Sequence, residues 1–119
     1  MSNTQLEIDS SGAVPVFKFI GYCSVEGLEK LQDELTALNN NGHSKFVFDF
    51  SACRLLNSPA MGELLDAILV VDRDFEGHIV VSGLDKLKET LFTISGIIPI
   101  AQVTRTSEEG IQLLSNLQK

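Results

Sequence analysis

Apolar patterns with the two-residue period of a β-strand alternate along this chain with patterns that have the period of an α-helix. In the clearest strand pattern, residues 45–50, Phe46, Phe48 and Phe50 share one face and Val47 lies on the other. The clearest helix pattern repeats apolar residues at steps of three and four, at Val25, Leu28, Leu31, Leu35 and Leu38. Such alternation requires crossover connections between parallel strands, so it predicts an α/β layer fold.

The full pattern predicts the element order ββαβαβαβα, with four or five strands in a mixed, mostly parallel sheet and about four helices. A short turn joins the first two strand patterns, so we expect them to form an antiparallel hairpin. Residues 51–57 are predicted to be a loop, and Ser24 is predicted to cap the first helix. The third helix is expected to bury Leu84, Leu87, Leu91 and Ile94.

Length and charge restrict the possible functions. The 119 residues fit a single domain spanning 1–119, and 16 acidic against 9 basic side chains give a net charge of −7. A chain this acidic offers no basic surface for nucleic acid or anionic lipid. It also has no apolar run long enough to cross a membrane, and its first residues lack the features of a signal peptide. We therefore expect a cytoplasmic protein that makes no direct membrane insertion.

Few residues suggest catalysis, a metal or a cofactor. The nine glycines form no phosphate-binding loop. His43 and His78 lie beside turns without metal-ligand spacing, and isolated cysteines such as Cys23 and Cys53 are usually small buried apolar groups. We predict that the protein is not an enzyme and binds no cofactor or metal. The competing enzyme hypothesis requires Cys23, His43 and His78 to meet in space.

Ser58 has two interpretations. It follows a polar loop and precedes Pro59 and an apolar helix pattern, an arrangement typical of a helix N-cap worth about 1 kcal/mol. Alternatively, its hydroxyl is exposed at the positive end of the helix dipole, where a phosphate would be stabilised and would change a docking surface. The residues alone do not separate these interpretations.

Several motifs resemble those of the STAS domain family, the bacterial anti-sigma factor antagonists. The element order and length agree with the family over nearly the whole chain. Three segments are similar to family motifs: Asp49-Phe50-Ser51, Leu56-Asn57-Ser58-Pro59-Ala60-Met61-Gly62 and Leu91-Phe92-Thr93-Ile94-Ser95-Gly96-Ile97. Asn57 stands where the family usually has an acidic residue, and Pro59 and Ala60 also depart from its pattern.

The resemblance implies a phosphorylation switch at Ser58. In the family, an anti-sigma serine kinase with a histidine-kinase-like ATPase fold phosphorylates the equivalent serine, and a PP2C-type phosphatase reverses the reaction. The unphosphorylated protein binds the kinase, and phosphorylation releases it. The implied docking residues lie around Ser58; they are Tyr22, Cys23, Ser24, Cys53, Asn57, Ser58, Pro59 and Met61.

A second hypothesis follows from the same resemblance. STAS-like domains also serve as constitutive scaffold modules in signalling assemblies and as subunits of lipid transporters. In that case Ser58 is only a helix N-cap, and the surface around Tyr22, Cys53 and Met61 binds a partner permanently.

Overall fold

The computed structural model describes residues 5–117. The expectation that the chain lacks a signal peptide rests on residues 1–5, and all but the last of these lie outside the described range. Six strands and five helices follow one another along the described chain. They are β1 (Gln5–Asp9), β2 (Val16–Cys23), α1 (Leu31–Asn40), β3 (Lys45–Asp49), β4 (Cys53–Leu56), α2 (Ser58–Leu69), β5 (His78–Ser82), α3 (Lys86–Ser95), α4 (Ile97–Ile100), β6 (Gln102–Thr104) and α5 (Ser107–Ser115).

One sheet organises the molecule. Its strand order is β1-β2-β3-β5-β6, and β4 pairs with β2 outside this path. β1 is antiparallel to β2, as the predicted hairpin requires, and the other pairs are parallel. The predicted α/β class and mostly parallel sheet are therefore confirmed. The prediction that residues 51–57 form a loop is wrong, because Cys53–Leu56 is a strand.

The larger core lies on the phenylalanine face of the sheet. Phe19 stacks on Phe50 with ring centroids 4.6 Å apart, and Phe92 of α3 meets Phe50 edge-on at 5.1 Å. The opposite face is covered by α5, whose Leu114 packs with valines of β3 and β5. The two-residue period seen in β3 thus sorts its side chains into two separate hydrophobic clusters.

The first predicted helix is two elements. A 3-10 turn, Val25–Leu28, precedes α1, which begins only at Leu31. Ser24 precedes the 3-10 turn and makes no side-chain capping hydrogen bond, so its prediction as the cap of α1 is wrong. The apolar spacing nevertheless has a structural basis, because Leu28, Leu31 and Leu35 are all buried.

The predicted inner face of α3 is also wrong in part. Leu87 and Ile94 are 63% and 77% exposed, whereas Lys88 and Phe92 are buried. Lys88 and Phe92 are four residues apart and so lie one turn apart on the same helix face. The ammonium group of Lys88 is accommodated there because it donates to Asp85 Oδ2 at 2.8 Å and to the Arg54 carbonyl at 3.4 Å.

β2 changes its partner at Gly21. Before this residue β2 pairs with β3, and from it onward β2 pairs with β4, with a register shift between Gly21 and Tyr22. Gly21 has φ = 85°, a left-handed conformation that glycine adopts without strain. This bend carries the end of β2 away from the main sheet and toward the start of α2.

None of the helices within residues 5–117 is both long enough and apolar enough to span a bilayer.

Candidate functional site

The N-terminus of α2 presents Ser58 to solvent. Ser58 is the first residue of the helix, and it is exposed together with Pro59. The first turn of α2 contains no acidic residue, so no carboxylate already occupies the positive end of this helix dipole. The Ser58 hydroxyl makes no hydrogen bond to any other residue within 5–117, and the residue is open to solvent.

Asn57, not Ser58, caps α2. The backbone of Asn57 is extended, and its Oδ1 accepts a hydrogen bond from the Ala60 N–H at 2.9 Å. The interpretation of Ser58 as the N-cap is therefore wrong by one residue. Both residue types cap helices well, and Pro59, expected at the first helical position, occupies the second.

The Asn57 side chain also ties the helix start to the end of β2. Its Nδ2 donates to the Tyr22 hydroxyl at 3.3 Å, and its backbone N–H donates to the Cys23 carbonyl at 3.3 Å. The strands on either side are held together by the parallel pairing of Tyr22 with Leu55 and of Cys23 with Leu56. The end of β2 and the start of α2 thus form a single hydrogen-bonded unit beside Ser58.

The backbone around Ser58 leaves few donors for a phosphate. Pro59 has no N–H, and the N–H groups of Ala60 and Met61 donate to Asn57. Among hydrogen bonds within residues 5–117, the Ser58 N–H is the only donor of this first turn that has no acceptor. A phosphate on Ser58 would therefore project from the surface and would not be enclosed by the helix terminus.

The predicted docking residues divide into an exposed and a buried group. Ser58 and Pro59 are exposed, and Tyr22, Asn57 and Met61 are half-buried. The other three lie below the surface, with exposed fractions of 1% for Cys23, 3% for Ser24 and 5% for Cys53. The buried three lie beneath the exposed residues, and their role in binding a partner stays a prediction.

The two cysteines are free and adjacent in the core. A hydrogen bond with Cys53 and burial together raise the pKa of Cys23 well above its ordinary value. A nucleophilic cysteine needs the opposite shift, toward the thiolate at neutral pH. Cys23 is thus a buried apolar group, as its residue type favours.

The histidines lie far from these cysteines in the topology. Cys23 is at the carboxyl end of β2, while His43 and His78 are next to the amino ends of β3 and β5, which run parallel to β2. The meeting of Cys23, His43 and His78 that the enzyme hypothesis requires therefore does not occur. Residues 5–117 also contain no group of three or more histidine, cysteine or carboxylate side chains placed to hold a metal ion.

The buried Lys88 is a feature of the site that sequence reasoning missed. Asp85 caps α3 by accepting from the Lys88 N–H at 2.9 Å, and its other oxygen pairs with the Lys88 ammonium. Lys88 also binds the Arg54 carbonyl in β4, so it links α3 to the strand that leads into Ser58. The sequence signal for this link is the spacing of Asp85 and Lys88, because an aspartate that caps a helix lies close to a lysine three residues later.

Three-dimensional comparison identifies the fold, although no family model and no curated protein matches the sequence. The anti-sigma factor antagonist SpoIIAA in its unphosphorylated form superposes with a TM-score of 0.73 at 16% identity, over 96% of this chain and 99% of that one. The Bacillus cell fate determinant SpoIIAA in its phosphorylated form gives 0.69 at 19%, over 92% and 97%. An anti-sigma factor antagonist from Mycobacterium paratuberculosis gives 0.79 at 14%, over 96% of each chain. With an almost complete match in both directions, this chain has the STAS fold of SpoIIAA.

Proposed function

We propose that this protein is an anti-sigma factor antagonist that works as a phosphorylation switch. In its unphosphorylated form it binds an anti-sigma serine kinase with a histidine-kinase-like ATPase fold, and phosphorylation of Ser58 releases it. A PP2C-type phosphatase restores the binding form. The observation that carries this proposal is the exposed Ser58 hydroxyl, which is not used to cap the helix that it begins.

The fold adds support to the proposal. SpoIIAA, which shares it, has been solved in phosphorylated and unphosphorylated forms. The STAS fold is thus compatible with both states in at least one protein. The equivalence of Ser58 to the residue modified there rests on the motif at 56–62 and is part of the proposal.

The proposed switch acts through surface charge. A phosphate adds about 1.5 to 2 negative charges, and it would lie at a helix start that has no acidic residue in its first turn. A partner that packs against Ser58, Pro59 and the exposed part of Met61 would have to desolvate this charge without compensation. Because the first turn offers the phosphate few donors, the charge remains at the surface, where it opposes docking.

The proposal predicts phosphorylation at one defined residue. Purified protein is incubated with ATP and each purified anti-sigma serine kinase of the same organism, and its intact mass is measured. We expect one added phosphoryl group on the wild type and none on Ser58→Ala. Ser107→Ala is the matched control, because Ser107 also begins a helix whose preceding residue, Thr106, supplies the cap.

Two results would contradict the proposed switch. One is the absence of phosphate on the wild type with every kinase, and the other is equal phosphorylation of Ser58→Ala. The binding step is tested separately by calorimetry with the kinase. Ser58→Asp should bind more weakly than the wild type, and equal affinities would remove the switch.

A constitutive interaction module is the second candidate function. The exposed side chains of Leu87 and Ile94 on α3 favour it, because large apolar side chains on one helix face often mark a contact with another protein. Its original form, with Ser58 as the cap, no longer applies, since Asn57 caps α2. Recovery of a transporter ATPase, and of no sigma-regulating kinase, in a pull-down would favour this candidate.

The remaining expectations stay predictions. They are a single domain over residues 1–119, a cytoplasmic location, no enzymatic activity, no cofactor and no nucleic acid partner. On the proposed function, any effect on transcription passes through a protein partner.

A further inference from the structure

A second candidate interaction surface lies along β1, away from Ser58. β1 is a terminal strand of the sheet, and within residues 5–117 it has a neighbour only on the β2 side. In an antiparallel pair, alternate backbone N–H and C=O groups point away from the partner strand. Such an edge can accept a further strand through main-chain hydrogen bonds.

A groove runs along each face of β1. On the helix side, a groove of about 250 Å³ is lined by Leu6 and Ile8 of the strand and by residues of the 3-10 turn, of α1 and of the link between them. On the α5 side, a groove of about 400 Å³ is lined by Glu7, Ile8 and Asp9 of the strand and by residues of β2, β3 and α5. An added strand would place alternate side chains in these two grooves, because successive residues of a strand point to opposite faces.

The charge of the molecule is concentrated around these grooves. Seven carboxylates line them, and two lysines oppose these, which leaves five negative charges, whereas the whole chain has a net charge of −7. The carboxylates are those of Glu7, Asp9, Glu26, Glu29, Glu34, Asp49 and Glu108, and the lysines are Lys18 and Lys30. Hydrogen bonds from the Ser11 side chain and backbone lower the pKa of Asp9, so this carboxylate is ionised at neutral pH.

We propose that the β1 edge binds an extended basic segment of a partner protein as an added strand. Lysine or arginine side chains of the segment face Glu7 and Asp9, and apolar side chains face Leu6 and Ile8. Charge complementarity selects this occupant, since opposite charges on neighbouring strands stabilise the pair. A second copy of this chain is disfavoured, because pairing two β1 edges would bring Glu7 and Asp9 of both copies together.

The proposed surface is separate from the phosphorylation switch. Ser58 and the other residues at the start of α2 line neither groove. Binding of the basic segment should therefore be the same for the wild type and for Ser58→Asp. This independence lets the β1 proposal be tested whether or not the proposed function holds.

The test uses two pentapeptides of equal charge with blocked termini, Lys-Val-Lys-Val-Lys and Lys-Pro-Lys-Pro-Lys. Proline lacks a backbone N–H, so the second peptide retains the charge but loses the ladder donors at its two prolines and pairs less well as a strand. Calorimetry measures affinity at low salt, and NMR measures shifts and hydrogen-exchange protection of the β1 amides. We expect the valine peptide to bind more tightly and to protect amides within residues 5–9.

Matched double variants test the charges. Glu7→Lys with Asp9→Lys should weaken the valine peptide by about tenfold or more, since it replaces attractive cross-strand pairs with repulsive ones. The control, Asp66→Lys with Asp74→Lys, changes the net charge equally at exposed positions outside both grooves and should leave the affinity within about twofold. Unchanged β1 amides, equal binding of the proline peptide, or equal weakening in both double variants would each overturn the proposal. Dimerisation of the free protein through β1, seen by sedimentation, would overturn it as well.

Discussion

Replacing Asn57 tests whether this residue, and not Ser58, caps α2. Asn57→Ala removes the acceptor for the Ala60 N–H, which is worth about 1 kcal/mol. It also removes the donor to the Tyr22 hydroxyl, whose 3.3 Å bond contributes about 0.5 kcal/mol. We therefore expect the free energy of unfolding to fall by about 1.5 kcal/mol and the melting temperature to fall by about 6 °C.

Two further variants make this prediction specific. Ser58→Ala removes no hydrogen bond seen in the structure, so its free energy of unfolding should stay within about 0.5 kcal/mol of the wild type. Asn57→Asp keeps the cap acceptor and adds a negative charge at the helix start, which offsets the lost amide donor. Its stability should also lie within about 0.5 kcal/mol of the wild type.

Chemical denaturation monitored by circular dichroism gives these free energies. The reasoning fails if Ser58→Ala costs about 1 kcal/mol or more while Asn57→Ala costs less, since a stability loss of that size identifies the cap. It also fails if Asn57→Asp is as unstable as Asn57→Ala. In that case the loss would come from the bond to Tyr22 and not from the cap.

Three other predictions test the packing and the charges. Phe92→Ala should lower the free energy of unfolding by about 3 to 5 kcal/mol, because this ring is fully buried against Phe50. Ile94→Ala should change it by less than about 0.5 kcal/mol, because Ile94 is exposed. Losses of similar size for the two variants in denaturation experiments would contradict the observed face of α3. Gly62→Ala should raise the free energy of unfolding by about 0.5 to 1 kcal/mol, because a Cβ at this helical position meets no atom within 4 Å. Gly110→Ala should lower it by about 1 kcal/mol or more, because its Cβ would lie 2.9 Å from Val80 Cγ1. Thermal melts that rank the two variants the other way would refute the close contact of α5 with the sheet. Hydrogen bonds from Lys88 hold the pKa of Asp85 in the folded protein below its ordinary value of 3.8. The stability that this carboxylate contributes is therefore fully present at a pH above 3.8, and it is lost as the pH falls through the lower pKa of the folded state. Asp85→Asn should therefore flatten the acid limb of stability against pH, and an unchanged slope would exclude Asp85 as a contributor.

The sheet was predictable because its signal is local. In β3, the two-residue alternation of phenylalanine and valine already specifies which side chains face each layer. The stop of α3 at Gly96 is equally local, since this residue has φ = 91° as a helix-ending glycine does. Such features depend on a few neighbouring residues, so the sequence contains the information to place them.

The features that were missed depend on distant contacts. β4 shows no alternation of apolar and polar residues, and it is a strand because the bend at Gly21 brings the end of β2 alongside it. Lys88 is buried because a carbonyl of β4 and the carboxylate of Asp85 satisfy its ammonium group. The spacing of hydrophobic residues gives no information about these partners of Lys88. It therefore predicted that Leu87 and Ile94 lie on the inner face of α3, where the structure has Lys88 instead.

The position of the cap determines what the proposed switch costs. If Ser58 were the cap, its phosphorylation would replace the hydroxyl oxygen that holds the helix start, and the modification would alter the stability of α2 as well as its surface. With Asn57 as the cap, the hydrogen bonds to Ala60 and Tyr22 do not involve the residue that is modified.

A phosphate at the first helical position also interacts favourably with the helix dipole, by about 0.3 to 1 kcal/mol. The phosphorylated protein should therefore be at least as stable as the unphosphorylated one, and a partner would distinguish the two states by surface charge alone. Amide exchange in α2 should therefore be equal or slower after phosphorylation. A marked loss of protection in α2 would show that the switch acts by unfolding the helix.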